Sequence, residues 1–282
     1  MVFSAAASVS YGLATAVTWG AADFAGGLAA KKANVFKVVL VAHASSLVIV
    51  AAVALLSRES LPPLASHLWG GLSGIAGAIG VLCLYQALAT GKMGTVAPIT
   101  GLLTAALPVM VGGVTQGRPR LLQMAGFGLA LLAIILISKP EQLQGRPKGL
   151  GLAIVAGLAF GFFVVFLKQA GVSSVFWPLV MSRGASTLLM LILFSALPMA
   201  KTSQAVPIPF GLMVLTGGLD SLGNLLLVLA TRSGRLDVAA VLSSLYPAAT
   251  VVLAFIFLKE RVTRIQNLGI VTALIAVPMI AS

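Results

Sequence analysis

Four ionisable side chains, Asp23, His43, Arg183 and Asp220, lie well inside long apolar runs of the sequence. An ion held at the middle of a bilayer costs about 2.5–3.5 kcal/mol on insertion scales, so such groups face a cavity or a partner. Arg183 keeps its proton, which suits it to grip a carboxylate: either a substrate's or that of an acid on a neighbouring helix. Asp220, with Asn224 one turn later on the same face, could titrate, bind a cation, or serve as permanent partner or neutral buried acid. Asp23 follows Trp19 by one turn and reads in the same way, with exposure at the end of its run as the alternative. His43 titrates near neutral pH. It is either a ligand or coupling contact in such a cavity or a histidine hydrogen-bonded between helices. Trp19, Tyr85 and Tyr246 are placed deep enough to line a cavity and stack on an organic ligand; Tyr11 and Trp177 read as headgroup-level aromatics. No cluster of metal-ligand type and no nucleophile–base constellation is readable. The single cysteine, Cys83, cannot form an internal disulfide. No metal and no cofactor is expected.

The elements that must hold these groups are membrane helices. Of 282 residues, 59% are hydrophobic and only 9% charged, against about a quarter charged in soluble domains. Mean hydropathy is +1.09. A soluble enzyme or nucleic-acid-binding protein is excluded on this ground, and the net charge of +12 reads as basic loops. A crossing helix needs roughly twenty mostly apolar residues. Ten runs qualify, near 8–30, 35–56, 68–90, 94–115, 121–138, 149–170, 175–197, 207–230, 236–258 and 263–281. The third is rich in glycine from Gly70 to Gly80, which lets helix backbones approach closely; packing within one bundle is preferred over a dimer seam. Pro247 frees a backbone carbonyl within the ninth. Pro98, Pro108, Pro178 and Pro278 offer similar kinks. No cleavable signal is expected, since the first run lacks a basic flank and is too long.

The chain repeats itself. Trp69-Gly70 faces Phe210-Gly211 and Leu88-Ala89-Thr90 faces Leu229-Ala230-Thr231 at an offset of 141, with further matches at 140 to 143. Each half holds five runs. An odd number inverts the second copy, giving inverted-topology repeats. The expected organisation is a first repeat at 1–139, a polar linker at 140–148 and a second repeat at 149–282. Six Lys and Arg fall in loops on the side of the termini, eleven in the opposite loops, and Arg183 is the eighteenth. That excess places both termini outside the cytoplasm. Of the six acids, Glu59, Glu141, Asp237 and Glu260 belong to loops and span ends beside bases.

Two segments resemble a known repeat. They are Tyr85-Gln86-Ala87-Leu88-Ala89-Thr90-Gly91-Lys92-Met93-Gly94-Thr95-Val96-Ala97-Pro98, and Leu229-Ala230-Thr231 through Leu245-Tyr246-Pro247 to Lys259-Glu260-Arg261-Val262-Thr263. Both are similar to the unit of EamA-type transporters in the drug/metabolite transporter superfamily, and Trp19-Gly20 resembles that unit's opening. The resemblance implies ten helices, inverted repeats and carriage of small metabolites, often as export. Two departures stand out. The family's Gly-Glu-Arg-like turn is here Gly117-Arg118-Pro119-Arg120, and His43 occupies the first-half position matching Arg183.

The expectation is an all-α integral membrane protein of ten transmembrane helices in two inverted five-helix repeats. It would be a multi-pass, monomeric secondary transporter of the inner membrane. It would move small metabolites or drugs, as an exporter, by alternating access, with a proton as candidate coupling ion. Its partners would be the lipid bilayer and a small-molecule substrate, with no nucleic acid. The alternatives are a non-transporting scaffold or accessory subunit, and a lipid-modifying membrane enzyme. Residue types and spacing do not name the substrate.

Overall fold

The computed structural model describes residues 2–90, 93–137, 149–197, 209–258 and 263–281. The linker at 140–148, Lys92, Glu141, Lys201 and the Lys259-Glu260-Arg261 turn lie outside the described residues. Eleven α-helices follow one another: α1 (Val2–Ala30), α2 (Val35–Leu56), α3 (Leu64–Thr90), α4 (Met93–Thr115), α5 (Leu121–Ile137), α6 (Leu150–Ala170), α7 (Phe176–Ala196), α8 (Phe210–Ser233), α9 (Leu236–Ser243), α10 (Tyr246–Leu258) and α11 (Arg264–Ala281). There is no strand among the described residues. Each apolar run of the sequence carries a helix among its described residues, and the ninth is broken into α9 and α10 at Ser244-Leu245. Pro247 accounts for the break, because it has no N–H to donate to the preceding turn.

Six of the spans are long and apolar enough to cross a membrane: 35–56, 64–89, 150–170, 176–196, 210–233 and 236–257. Three further apolar helices, at 99–115, 121–136 and 264–280, are shorter. Their outer faces carry large bare side chains, Val114, Leu121 and Leu56 among them, at 82–87% exposure. Apolar surface this continuous suits lipid rather than water. The chain is a multi-pass membrane protein in contact with the bilayer.

The helices interleave across the two halves. α1 packs on α8, and the equivalent helices of the other copies, α6 and α3, pack on each other in the same way. α4 lies on α6 as α9 and α10 lie on α1. α3 on α7 matches α8 on α2, and the pairs α2–α7 and α5–α11 map onto themselves. Exchanging the halves therefore leaves the pattern of packing unchanged. Two crossings show why small residues were needed. A Cβ on Gly74 would overlap the carbonyl of Ser182 where α3 meets α7, and one on Gly217 would overlap the carbonyl of Ala42 where α8 meets α2. All the glycines of α3 except Gly71 serve contacts inside the bundle: Gly70 and Gly74 face α7, and Gly77 and Gly80 face α6.

Two polar latches tie the halves together at one face of the bundle. In the first, the Glu59 carboxylate, between α2 and α3, accepts from the Ser174 hydroxyl at 2.8 Å, the Val175 amide at 2.7 Å and the Phe176 amide at 2.8 Å. The indole of Trp177 donates to the Glu59 carbonyl at 2.9 Å, and Ser66 and Ser173 share a hydrogen bond at 3.1 Å. A carboxylate at a helix N-terminus meets unpaired amides and the positive end of the dipole. Burial pushes the Glu59 carboxyl up, but the bonds from Val175, Phe176 and Ser174 outweigh it and hold the group below its ordinary range. The second latch joins the α4–α5 turn to the start of α9. The guanidinium of Arg235 donates to the Gln116 and Gly117 carbonyls at 3.1 and 2.7 Å, and the Leu236 amide donates to the Gln116 side chain at 2.8 Å. Asp237, fully buried, pairs with Arg235 at 2.7 Å. Lys168 at the end of α6 lies within electrostatic range of Asp237 and Arg235, which places the two latches on the same face.

Candidate functional site

Uniform apolar helices become informative where a polar side chain interrupts them, and in this fold the interruptions converge. A cavity lies between the halves, enclosing about 610 Å³ of non-atom space with its open solvent included. All eight residues singled out from the sequence line it: Trp19 and Asp23 from α1, His43 from α2, Tyr85 from α3, Arg183 from α7, Asp220 and Asn224 from α8, and Tyr246 from α10. They are scattered from Trp19 to Tyr246 of the 282-residue chain and meet only because the halves interleave.

Arg183 and Asp220 form an ion pair through Nη2 and Oδ2. Arg183 is buried at 3% exposure, so its charge is answered within the protein. Of the alternatives open for these residues, the pairing is realised. Asn224 sits one turn further along α8 and accepts a hydrogen bond from the Trp19 indole at 3.0 Å. That bond crosses from one half to the other and fixes the Trp19 ring over the cavity. Trp19 packs edge-on against Tyr246 with centroids 6.4 Å apart, and lies tilted against Phe163 at 6.1 Å. The Tyr85 hydroxyl donates to the Ala22 carbonyl at 3.4 Å, which ties α3 to α1 beside Asp23.

Two groups depart from the plainer expectations. His43 is not a histidine hydrogen-bonded between helices: among the described residues neither ring nitrogen has a partner. It lines the same cavity as Arg183. Asp23 is not at an exposed span end. It lines the cavity and has no ion pair or hydrogen bond among the described residues. Trp177, expected at headgroup level, stands at the end of the bundle in the first latch. Glu59, in the loop beside Arg58, turns its carboxylate to the α7 amides.

The sequence reading left out several wall residues. Thr216 lies one turn before Asp220, so Thr216, Asp220 and Asn224 make a polar stripe at helical spacing that was there to be seen. Phe160 and Phe163 also line the cavity, but they come from the aromatic-rich stretch 160–166 in which nothing marks the inward rings. Thr104 completes the wall from α4, its hydroxyl returned to the Thr100 carbonyl at 2.8 Å.

The cavity is off-centre. With about 1.5 Å of rise per residue, Asp23 lies about 22 Å along α1 from Ser8, which bonds the Ala230 carbonyl near the second latch. By the same rise Tyr85 is about 28 Å along α3 from Ser66 of the first latch. Arg183 is only about 10 Å from the start of α7. The site runs from mid-bundle toward the face opposite the latches.

A family model described as the EamA-like transporter family matches residues 6–139 and again 147–282. An uncharacterized protein of Methanocaldococcus jannaschii is 37% identical over 68 residues, covering 24% of this chain and 50% of that protein. The chain thus spans about half the length of the curated relative it matches. A solved protein crystal structure superposes with a TM-score of 0.76 over 96% of this chain and 95% of its own, at 14% identity. That likeness is one of fold.

Proposed function

The chain belongs to the EamA-like transporter family, and on that premise we propose that it is a secondary transporter working by alternating access around the central cavity. It carries small metabolites or drugs, as an exporter, through a bacterial inner membrane. It does so as a monomer with ten crossings: α1 to α8 make eight, α9 with α10 the ninth, and α11 the tenth. The copies at 1–139 and 149–282 are inverted, joined by the linker at 140–148, with both termini outside the cytoplasm.

The observation that carries this reading is the meeting of Asp23, His43, Arg183 and Asp220 at one cavity between two pseudo-symmetric halves. Ionisable groups are expensive in lipid and are found where a path needs them. The latches add support. Glu59 and Arg235 close the face of the termini, while the cavity extends to the other face. A rocking motion that broke these latches would present the same site to the opposite side. Trp19, Asp23, Tyr85, Arg183, Asp220, Asn224 and Tyr246 form the substrate and ion path, with His43 at its edge. In the mechanism, a ligand enters from the open face and sits against the aromatic walls. The Arg183–Asp220 pair holds α7 to α8 while a proton exchanges at Asp23.

Sealed proteoliposomes containing the purified chain test this. Loaded with a panel of labelled metabolites and drugs, they should lose at least one of them faster than protein-free vesicles, with its chemistry unchanged. Chemical conversion would mark an enzyme. Flux identical to empty vesicles across the panel, with pH gradients of either sign, would mark a scaffold.

A further inference from the structure

The charges around the cavity do not balance. Of its ionisable walls, Arg183 and Asp220 cancel one another as an ion pair. His43 shares the cavity with Arg183, and neither of its ring nitrogens has a hydrogen-bond partner among the described residues. Asp23 remains. It faces Asp220 from α8, Tyr85 from α3 and Tyr246 from α10, none of which supplies a positive charge. Across the cavity stand only His43 from α2 and the committed Arg183 from α7. Around it stand five aromatic rings, those of Trp19, Tyr85, Phe160, Phe163 and Tyr246.

Resting on the transporter reading, the geometry points to an organic monocation as the ligand of this cavity, with the Asp23 carboxylate as its counter-ion and the aromatic rings as its walls. An anion would meet a surplus carboxylate. A zwitterion would need a free guanidinium, and Arg183 is taken by Asp220. A bare metal ion would need several hard ligands, and no group of three or more His, Cys, Asp or Glu suited to a metal exists among the described residues. A weakly hydrated ammonium with apolar substituents meets none of these objections. Ring faces attract such cations, and the attraction grows as water is excluded.

Titration calorimetry on the purified full-length protein in detergent tests the assignment. The probes are benzyltrimethylammonium, tetraethylammonium and phenethylamine, with phenylacetate, phenylalanine and sodium ion as contrasts. At least one of the three cations should bind, more tightly than every contrast. Asp23→Asn should weaken that binding about tenfold or more, while Asp23→Glu keeps it. Both variants are first shown monodisperse, with melting close to that of the parent. Tighter binding of phenylacetate, phenylalanine or sodium, failure of all three cations at millimolar concentration, or unchanged cation binding in Asp23→Asn each overturns the assignment. Proteoliposomes separate this from the wider reading. Movement of an anion or zwitterion with Asp23→Asn fully active leaves a transporter with another ligand. Cation binding through Asp23 with no flux of any solute leaves a cation site without transport.

Discussion

Replacing Glu59 by Ala should open one face of the bundle, and the size of the effect can be worked from the latch. The carboxylate takes three hydrogen bonds of 2.7–2.8 Å from Ser174, Val175 and Phe176. Loss of a helix-capping side chain costs about 0.5–2 kcal/mol, and removal of an anion from a helix N-terminus about 0.3–1 kcal/mol. Glu59 is partly exposed, so solvent discounts the charge contribution. A combined cost of about 1–2 kcal/mol follows, a factor of about 5–30 in the population of the open face. Hydrogen–deuterium exchange read by mass spectrometry is the assay. Exchange around 174–177 should rise in Glu59→Ala simply because the acceptor is gone, so the informative site is the other latch. The Leu236 amide, bonded to Gln116, has no contact with Glu59. If the halves part as bodies, exchange at 235–239 should also accelerate, by about 5–30-fold. Acceleration confined to 171–181 would refute the argument, leaving Glu59 as a local cap with no part in a swing of the halves.

Three further outcomes follow from particular contacts. Gly74→Ala should lower the melting temperature in detergent by an amount equivalent to about 1–3 kcal/mol, because the added methyl meets the Ser182 carbonyl; Gly71→Ala, with open space around it, should change it by less than about 0.5 kcal/mol. Arg183→Ala strands the buried Asp220 carboxylate and should cost about 3–5 kcal/mol, whereas Arg183→Met with Asp220→Leu should recover most of that loss in the same melt, since replacing both members of a buried pair by apolar groups is often neutral; a double variant no better than Arg183→Ala would count against the pair. The acid side of the stability profile should carry the signature of Glu59: its folded-state value lies below the ordinary 4.5, so its contribution is complete above that value and disappears as pH falls through the lowered one. Glu59→Gln should flatten that acid-side loss in a melt followed from pH 7 downward, and an unaltered slope would remove Glu59 as its source.

Much of the architecture was written in local pattern. Ten apolar runs, each bounded by charge or proline, could only be buried in lipid as helices, since a bilayer leaves no other partner for backbone polar groups. The offset of 141 between Trp69-Gly70 and Phe210-Gly211 announced two copies, which the matches to 6–139 and 147–282 bear out. The cost of ionisation in lipid singled out Asp23, His43, Arg183 and Asp220, and the structure collects all four around one cavity.

The sequence could place a polar residue on a helix but not choose its partner. A helix that is apolar all round carries no facing signal, so the rotation of α6 that brings Phe160 and Phe163 inward is set by contacts with α3 and α4. Nor could local pattern tell that Arg183 answers Asp220 and leaves Asp23 without a base. That outcome depends on which helices meet at which depth, and so on small-residue crossings such as Gly74 against Ser182 and Gly217 against Ala42. The latches are of the same kind. Glu59 reads as an ordinary loop acid beside Arg58 until the fold delivers the α7 amides from 115 residues away. Sequence fixes the cost of burying a charge; only tertiary packing decides how that cost is met.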